Sequence, residues 1–188
     1  MIDEPYETPE GHKSGFVALV GRPNVGKSTL MNAFMGQKIA AVTHRPQTTR
    51  TRQLGIITEP GYQMIFIDTP GIIRDPRHPL DEFMVQSALE TLDDADVVLW
   101  LVDMSERPGD GDRQIAARLA EGGERRVILA LNKVDLLLPA EALAYTEAYV
   151  SLLRSAEWLH LSALTGDGVA ELLARLVAAL PEGPRYYP

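Results

Sequence analysis

Residues Gly21-Arg22-Pro23-Asn24-Val25-Gly26-Lys27-Ser28, followed by Thr29, satisfy the spacing G-x-x-x-x-G-K-[ST] without departure. Glycines at the two ends let such a backbone curl so that its N–H groups point inward at a phosphate. The helix that follows adds favourable dipole potential. In a loop of this kind Lys27 reaches the β- and γ-phosphate oxygens, and the Ser28 hydroxyl is a ligand for Mg²⁺. A phosphate cradle does not choose a base, but Asn132-Lys133-Val134-Asp135 does. The Asp135 carboxylate can accept hydrogen bonds from the ring N1–H and the exocyclic amine of guanine, whereas adenine turns a lone pair toward it. The ligands expected are therefore GTP and GDP. Asp68-Thr69-Pro70-Gly71 supplies an acid placed to hold Mg²⁺ through a water, and a glycine N–H able to meet the γ-phosphate and sense its loss. Gln47-Thr48-Thr49-Arg50 offers a threonine to complete the Mg²⁺ shell, with Thr49 preferred to Thr48, and Ser162-Ala163-Leu164 would sit over the base through backbone N–H groups.

These residues need a sheet edge to bring them together, and the hydrophobic pattern provides one. Short β-branched runs alternate with amphipathic segments, the mark of an α/β protein. The spacing predicts strands over 16–20, 53–58, 63–68, 97–103, 126–132 and 158–161, and helices over 27–35, 79–92, 110–121, 139–153 and 168–180. The turn Glu59-Pro60-Gly61-Tyr62 is too short for a crossover helix, so the strands it joins must be antiparallel neighbours. In the last helix Val169, Leu172, Leu173, Leu176, Val177 and Leu180 line one face, a packing surface without chemistry. Gly109-Asp110-Gly111 has Gln114 where a dinucleotide fingerprint requires glycine or alanine, and reads as a loop. Residues 1–13 read as a flexible polar tail, 14–181 as one domain, and 182–188 as a linker, because three prolines between Pro181 and Pro188 oppose regular structure.

Composition narrows the class further. Of the 188 residues 45% are apolar and 23% charged, the mix of a soluble domain with a core. There is no cysteine, and the four histidines lie far apart, which excludes disulfides, thiolate zinc and iron–sulfur sites. Met1 to Glu10 carries four acids and two prolines where a signal peptide would carry cations and an apolar stretch, so a cytoplasmic location is expected. The net charge is −8, yet from Gly11 to Thr58 there is no acid at all and seven cations, which leaves −15 on the rest. Such segregation suits a small polyanion near the amino-terminal third better than nucleic acid over the whole surface.

In this order the five elements resemble the nucleotide-binding motifs of a GTPase domain, and the wording GRPNVGKS, PQTTR, DTPG and NKVD, with the tail from Leu180 to Pro188, is similar to the Era family of bacterial GTPases. The resemblance spans about residues 14–188. It implies a Ras-like P-loop NTPase fold, with a six-stranded, mostly parallel sheet carrying one antiparallel strand and helices on both faces. It also implies Mg²⁺-dependent GTP hydrolysis and a role in small ribosomal subunit assembly through 16S rRNA and the 30S subunit. Peripheral membrane association and a KH domain beyond the linker are implied as well. No KH-type G-x-x-G loop appears in this chain, and its acidity argues for weak RNA binding by these residues alone. Lys27, Thr49, Gly71 and Asn24 are the expected catalytic set. Potassium-activated relatives place a ligand for a monovalent ion at the position of Asn24, so K⁺ is a second candidate cofactor. The glutamine that Ras-like enzymes place after the DxxG glycine is here Ile72, leaving K⁺, Arg45 or Arg50 to supply the missing charge. The alternative reading is a nucleotide-gated binding module of the TrmE or EngA kind with negligible turnover.

Overall fold

The computed structural model describes residues 9–36, 53–69, 72, 79–123, 125–154 and 156–187. Six strands, β1 (Lys13–Val20), β2 (Gln53–Glu59), β3 (Tyr62–Asp68), β4 (Val97–Asp103), β5 (Val127–Asn132) and β6 (Glu157–His160), form one sheet in the order β2-β3-β1-β4-β5-β6. Only β2 runs antiparallel to its neighbour, pairing β3 across the Pro60-Gly61 turn; the other pairs are parallel. The helices are α1 (Lys27–Gly36), α2 (Pro79–Asp93), α3 (Asp110–Glu121), α4 (Ala142–Val150) and α5 (Val169–Ala179), with a short 3₁₀ turn at Val134–Leu136.

Strand alternation decides which helix covers which face. Val17, Leu19, Leu99, Leu101, Ile128 and Ala130 point to one side and pack with Leu30 and Phe34 of α1 and Leu172 and Leu176 of α5. Ala18, Val20, Val98, Trp100, Val102 and Leu129 point to the other and pack with Leu92 of α2, Ile115 and Leu119 of α3 and Tyr149 of α4. A sheet buried on both faces needs strands that are apolar throughout, and β4 and β5 are buried at every position. This is the expected Ras-like arrangement. The chain leaves β1 toward β2 and β3 on one side and then crosses from β3 to β4 on the other, so the carboxyl edge of β1 is the topological switch point where an α/β sheet binds its ligand.

Most boundaries agree with the sequence pattern to within a single residue, and the larger differences fall at β1, the carboxyl-terminal segment and α4. The strand expected over 16–20 begins at Lys13, and His12, expected in a flexible tail, is buried. The cause lies at the other end of the chain. Residues 181–187 form no helix and make a single antiparallel bridge, Glu182 with Lys13, yet they are held against β1 and β3 by hydrogen bonds with Ser14 and Gln63. His12 donates from Nδ1 to the Gly183 carbonyl, and the Gly183 N–H returns a bond to the His12 carbonyl. The buried Gln63 amide holds the end of the strap: Oε1 accepts from the Tyr186 and Tyr187 N–H groups, and Nε2 donates to the Tyr187 carbonyl. The third difference is α4, which runs over Ala142–Val150 rather than 139–153: Leu138 and Glu141 close a turn ahead of it, and the Leu152 N–H closes a turn on the Tyr149 carbonyl at its end.

Candidate functional site

The loop Gly21–Ser28 leaves β1 at the switch point and enters α1, whose first turn closes with the Leu30 N–H on the Gly26 carbonyl at 2.8 Å. Both glycines are required by contact. A Cβ on Gly21 would stand 2.5 Å from the Leu101 carbonyl oxygen, and Gly26 has φ +108° with the Asn132 amide against the place a Cβ would take. The Lys27 ammonium donates to the Gly21 and Arg22 carbonyls at 2.7 and 2.8 Å, folding back across the loop mouth. Burial lowers its pKa and the nearby Asp68 charge partly opposes that shift. Arg22 turns away from the mouth toward the loop after β4, with Nη2 2.6 Å from Glu106 and Nε 2.8 Å from the buried Asp112. Burial works against its charge, but the two carboxylates outweigh that and raise its pKa. Pro23, Asn24 and Thr29 are exposed, while Val25 is packed in the core.

Asp68 ends β3, level with Leu19 of β1, and its Oδ1 accepts the Thr69 N–H; the Thr69 hydroxyl reaches the Leu19 carbonyl at 3.2 Å. Lys27, Ser28 and Asp68 line one cavity of about 340 Å³ with Asn32 and Leu54. A hydroxyl and a carboxylate facing one space are hard oxygen donors, and Mg²⁺ is held by one or two such groups together with phosphate oxygens. Ser28 and Asp68 therefore fit the ion. Thr48, Thr49, Pro70 and Gly71 lie outside the described residues, so their placement stays as expected from sequence.

The guanine motif ends β5, and its first two residues are tied to the phosphate loop. Asn132 is buried; its Nδ2 donates to the Val25 carbonyl at 2.8 Å and its Oδ1 accepts the Ala163 N–H at 2.9 Å. Lys133 donates to the Asn24 carbonyl at 2.7 Å and to Asp103 Oδ2 at 2.5 Å. Asp135 is exposed in the 3₁₀ turn, and its carboxylate makes no hydrogen bond or ion pair among the described residues. The expectation for Ser162-Ala163-Leu164 narrows: the Ser162 N–H is taken by the Asp167 carbonyl and the Ala163 N–H by Asn132. Of the three amides Leu164's alone makes no hydrogen bond among the described residues, and its side chain is 78% exposed. Asp103, Glu106 and Asp112 were not marked by any motif. For Asp103 the signal in the sequence is its place at the end of the apolar run of β4, as Asp68 ends β3 and Asn132 ends β5.

A phosphate loop at the switch point, braced through Asn132 and Lys133 to a carboxylate suited to guanine, defines a P-loop GTPase domain. The chain belongs to the family described as 50S ribosome-binding GTPase, whose model matches residues 16–133. It is 48% identical over 176 residues to GTPase Era of Lactobacillus delbrueckii subsp. bulgaricus, covering 94% of this chain and 58% of that protein. The chain thus spans little more than half the length of the curated relatives it matches. Among solved structures it is similar to Era in complex with MgGDPNP and nucleotides 1506–1542 of 16S ribosomal RNA, with TM-score 0.74, 36% identity, and coverage of 94% of this chain and 60% of that one. An Aquifex aeolicus Era variant bound to GDP·AlF₄⁻ is similar at TM-score 0.74 and 35% identity, over the same shares of the two chains.

Proposed function

We propose that this chain is an Era-like, Mg²⁺-dependent GTP-hydrolysing switch domain. The observation that carries the reading is the brace from Asn132 and Lys133 to the carbonyls of Val25 and Asn24, which fixes base and phosphate subsites at one spacing. Phosphoryl transfer to water asks the protein for in-line positioning and charge neutralisation, with little covalent work. Lys27 and the loop amides place positive potential on the β- and γ-phosphates. Ser28, Asp68 and Thr49 would hold Mg²⁺, which supplies the remaining charge. Loss of the γ-phosphate would free Thr49 and Gly71 from their contacts, an ordering change that reports the nucleotide state. The test is turnover of pre-bound GTP with Mg²⁺ and with a chelator. Hydrolysis that needs Mg²⁺ and is lost in Lys27→Ala is expected; GTP that stays intact with Mg²⁺ over many hours would favour the TrmE- or EngA-like gated module instead.

The Era relative bound to 16S rRNA supports a role in small-subunit assembly for the protein to which these residues belong, in the cytoplasm where ribosomes assemble. The chain itself carries −8, although the run from Gly11 to Thr58 holds seven cations and no acid. We therefore expect weak, strongly salt-dependent affinity for a 16S 3′-end fragment. Filter binding between about 50 and 200 mM salt checks this, and tight binding that persists at the upper end would assign the RNA contact to the Arg45–Arg52 stretch. Peripheral membrane association is the remaining proposal from resemblance, and flotation with anionic vesicles tests it. If the chain stays with the unbound protein in both nucleotide states, that proposal fails.

A further inference from the structure

We infer that Asp103, which belongs to none of the nucleotide motifs, is a positioning residue: it holds Lys133 in place and so sets how slowly guanine nucleotide leaves. The inference rests on the guanine-nucleotide reading above. Asp103 ends β4 directly beside Asn132 in the β4–β5 register, which puts its carboxylate behind the guanine motif at the carboxyl edge of the sheet. Both carboxylate oxygens are committed. Oδ1 accepts the Ser105 N–H at 2.9 Å and the Ser105 hydroxyl at 2.6 Å, and Oδ2 accepts the Lys133 ammonium at 2.5 Å. Its carbonyl accepts the hydroxyl of the fully buried Tyr149 at 2.8 Å. The carboxylate is thus fixed at both ends and aimed at one partner.

The partner needs fixing. Lys133 has φ +66° and Asn24 has φ +65°, so two non-glycine residues in the left-handed region face each other across the site. The one bond joining them runs from the Lys133 ammonium to the Asn24 carbonyl. Without Asp103 the ammonium would keep that single acceptor for its three donors, on a side chain long enough to swing into water. An ordinary surface ion pair contributes little. This one differs, because the Asp103 side chain is only 12% exposed and the bond is charge-assisted at both ends. Lys133 lies two residues from Asp135, so its release would loosen the loop that presents the guanine-binding carboxylate as well as the apex of the phosphate loop.

The test is a double-mutant cycle read by stopped-flow release of fluorescent GDP, with thermal melting recorded for each chain. Asp103→Asn keeps the shape and the Ser105 contact but removes the charge. It should speed release by about 10- to 100-fold, the range for a hydrogen bond to a charged group. In a Lys133→Ala background the same change should alter release less than about twofold, since a residue acting through Lys133 has nothing left to act on. General loosening of β4 would instead speed release by the same factor in both backgrounds and overturn the inference. Unchanged release in Asp103→Asn alone would overturn it too. Should Asp103→Asn not fold, Ser105→Ala frees Oδ1 and lets the carboxylate rotate. It should speed release several-fold with Lys133 present and not without it; equal effects again count against the idea. A parent chain that binds no fluorescent GDP would overturn the guanine-nucleotide reading as well. A parent that binds, with additive variants, overturns only the role of Asp103.

Discussion

Replacing Asp135 by asparagine is expected to weaken GTP binding on the order of 10³-fold or more and to let xanthosine triphosphate take its place. The 3₁₀ turn that carries Asp135 is closed by the Leu136 N–H on the Lys133 carbonyl at 2.9 Å and the Leu137 N–H on the Val134 carbonyl at 3.2 Å, so its backbone does not move with the side chain. The carboxylate is exposed and spends neither oxygen on the protein, which leaves both for the N1–H and amine of guanine. An asparagine in the same place turns an N–H₂ toward the amine, donor against donor. Xanthine carries a carbonyl where guanine carries the amine, and the new donor meets it. Displacement of fluorescent GDP by each triphosphate measures the exchange, and an unchanged melting temperature shows that the fold is intact, as expected for an exposed residue. A variant that binds GTP as tightly as the parent would mean that Asp135 does not read the base.

The parts of this site that were legible in the sequence are those whose geometry is set locally. Gly26 takes φ +108°, which glycine alone adopts without strain, and the fixed spacing from Gly21 to Lys27 encodes the loop. Asn132 ends β5 and Asp135 follows three residues later in the 3₁₀ turn, so their separation is fixed by local chain geometry. What could not be read was set by pairing between distant segments. Arg22 meets Glu106 across 84 residues, and Lys133 meets Asp103 across 30 residues through the β4–β5 register. Nothing in the wording of either segment names its partner. The docked strap was hidden for a different reason. Proline removes backbone donors, and three of them from Pro181 to Pro188 argue for a linker without regular structure. However, Gln63 supplies from its side chain the donor and acceptor that a neighbouring strand would have supplied. A buried glutamine in an otherwise apolar strand is the signal, because its amide must be satisfied by something.

Hydrolysis is expected to depend on potassium, by at least about tenfold over sodium; trans-supplied arginine fingers reach about 10³- to 10⁵-fold in related chemistry. The position after Gly71 is where a glutamine would orient the attacking water. Ile72 fills it, has no hydrogen-bonding atom, and is 2% exposed within the packed face that holds Trp100 and Val102. It cannot turn out to take that role. A cation between the β- and γ-phosphates would stabilise the same developing charge from the other side. Asn24, at the exposed apex of the phosphate loop, is the residue proposed to hold it. Asparagine in such turns often serves only to brace the backbone. Here the brace from Lys133 uses the Asn24 carbonyl, and the side-chain amide makes no hydrogen bond among the described residues, so its oxygen is open to an ion. Because φ at this residue is +65°, alanine would add backbone strain to any loss of ligand, and Asn24→Gly is the cleaner variant. Single-turnover hydrolysis in potassium and sodium chloride at matched ionic strength, for the parent and Asn24→Gly, separates the cases. The parent should be faster in potassium, and the variant equal in both salts. Equal rates for the parent would remove the ion and leave Arg45 or Arg50 to supply the charge. A potassium effect that survives in Asn24→Gly would keep the ion and remove Asn24 as its ligand.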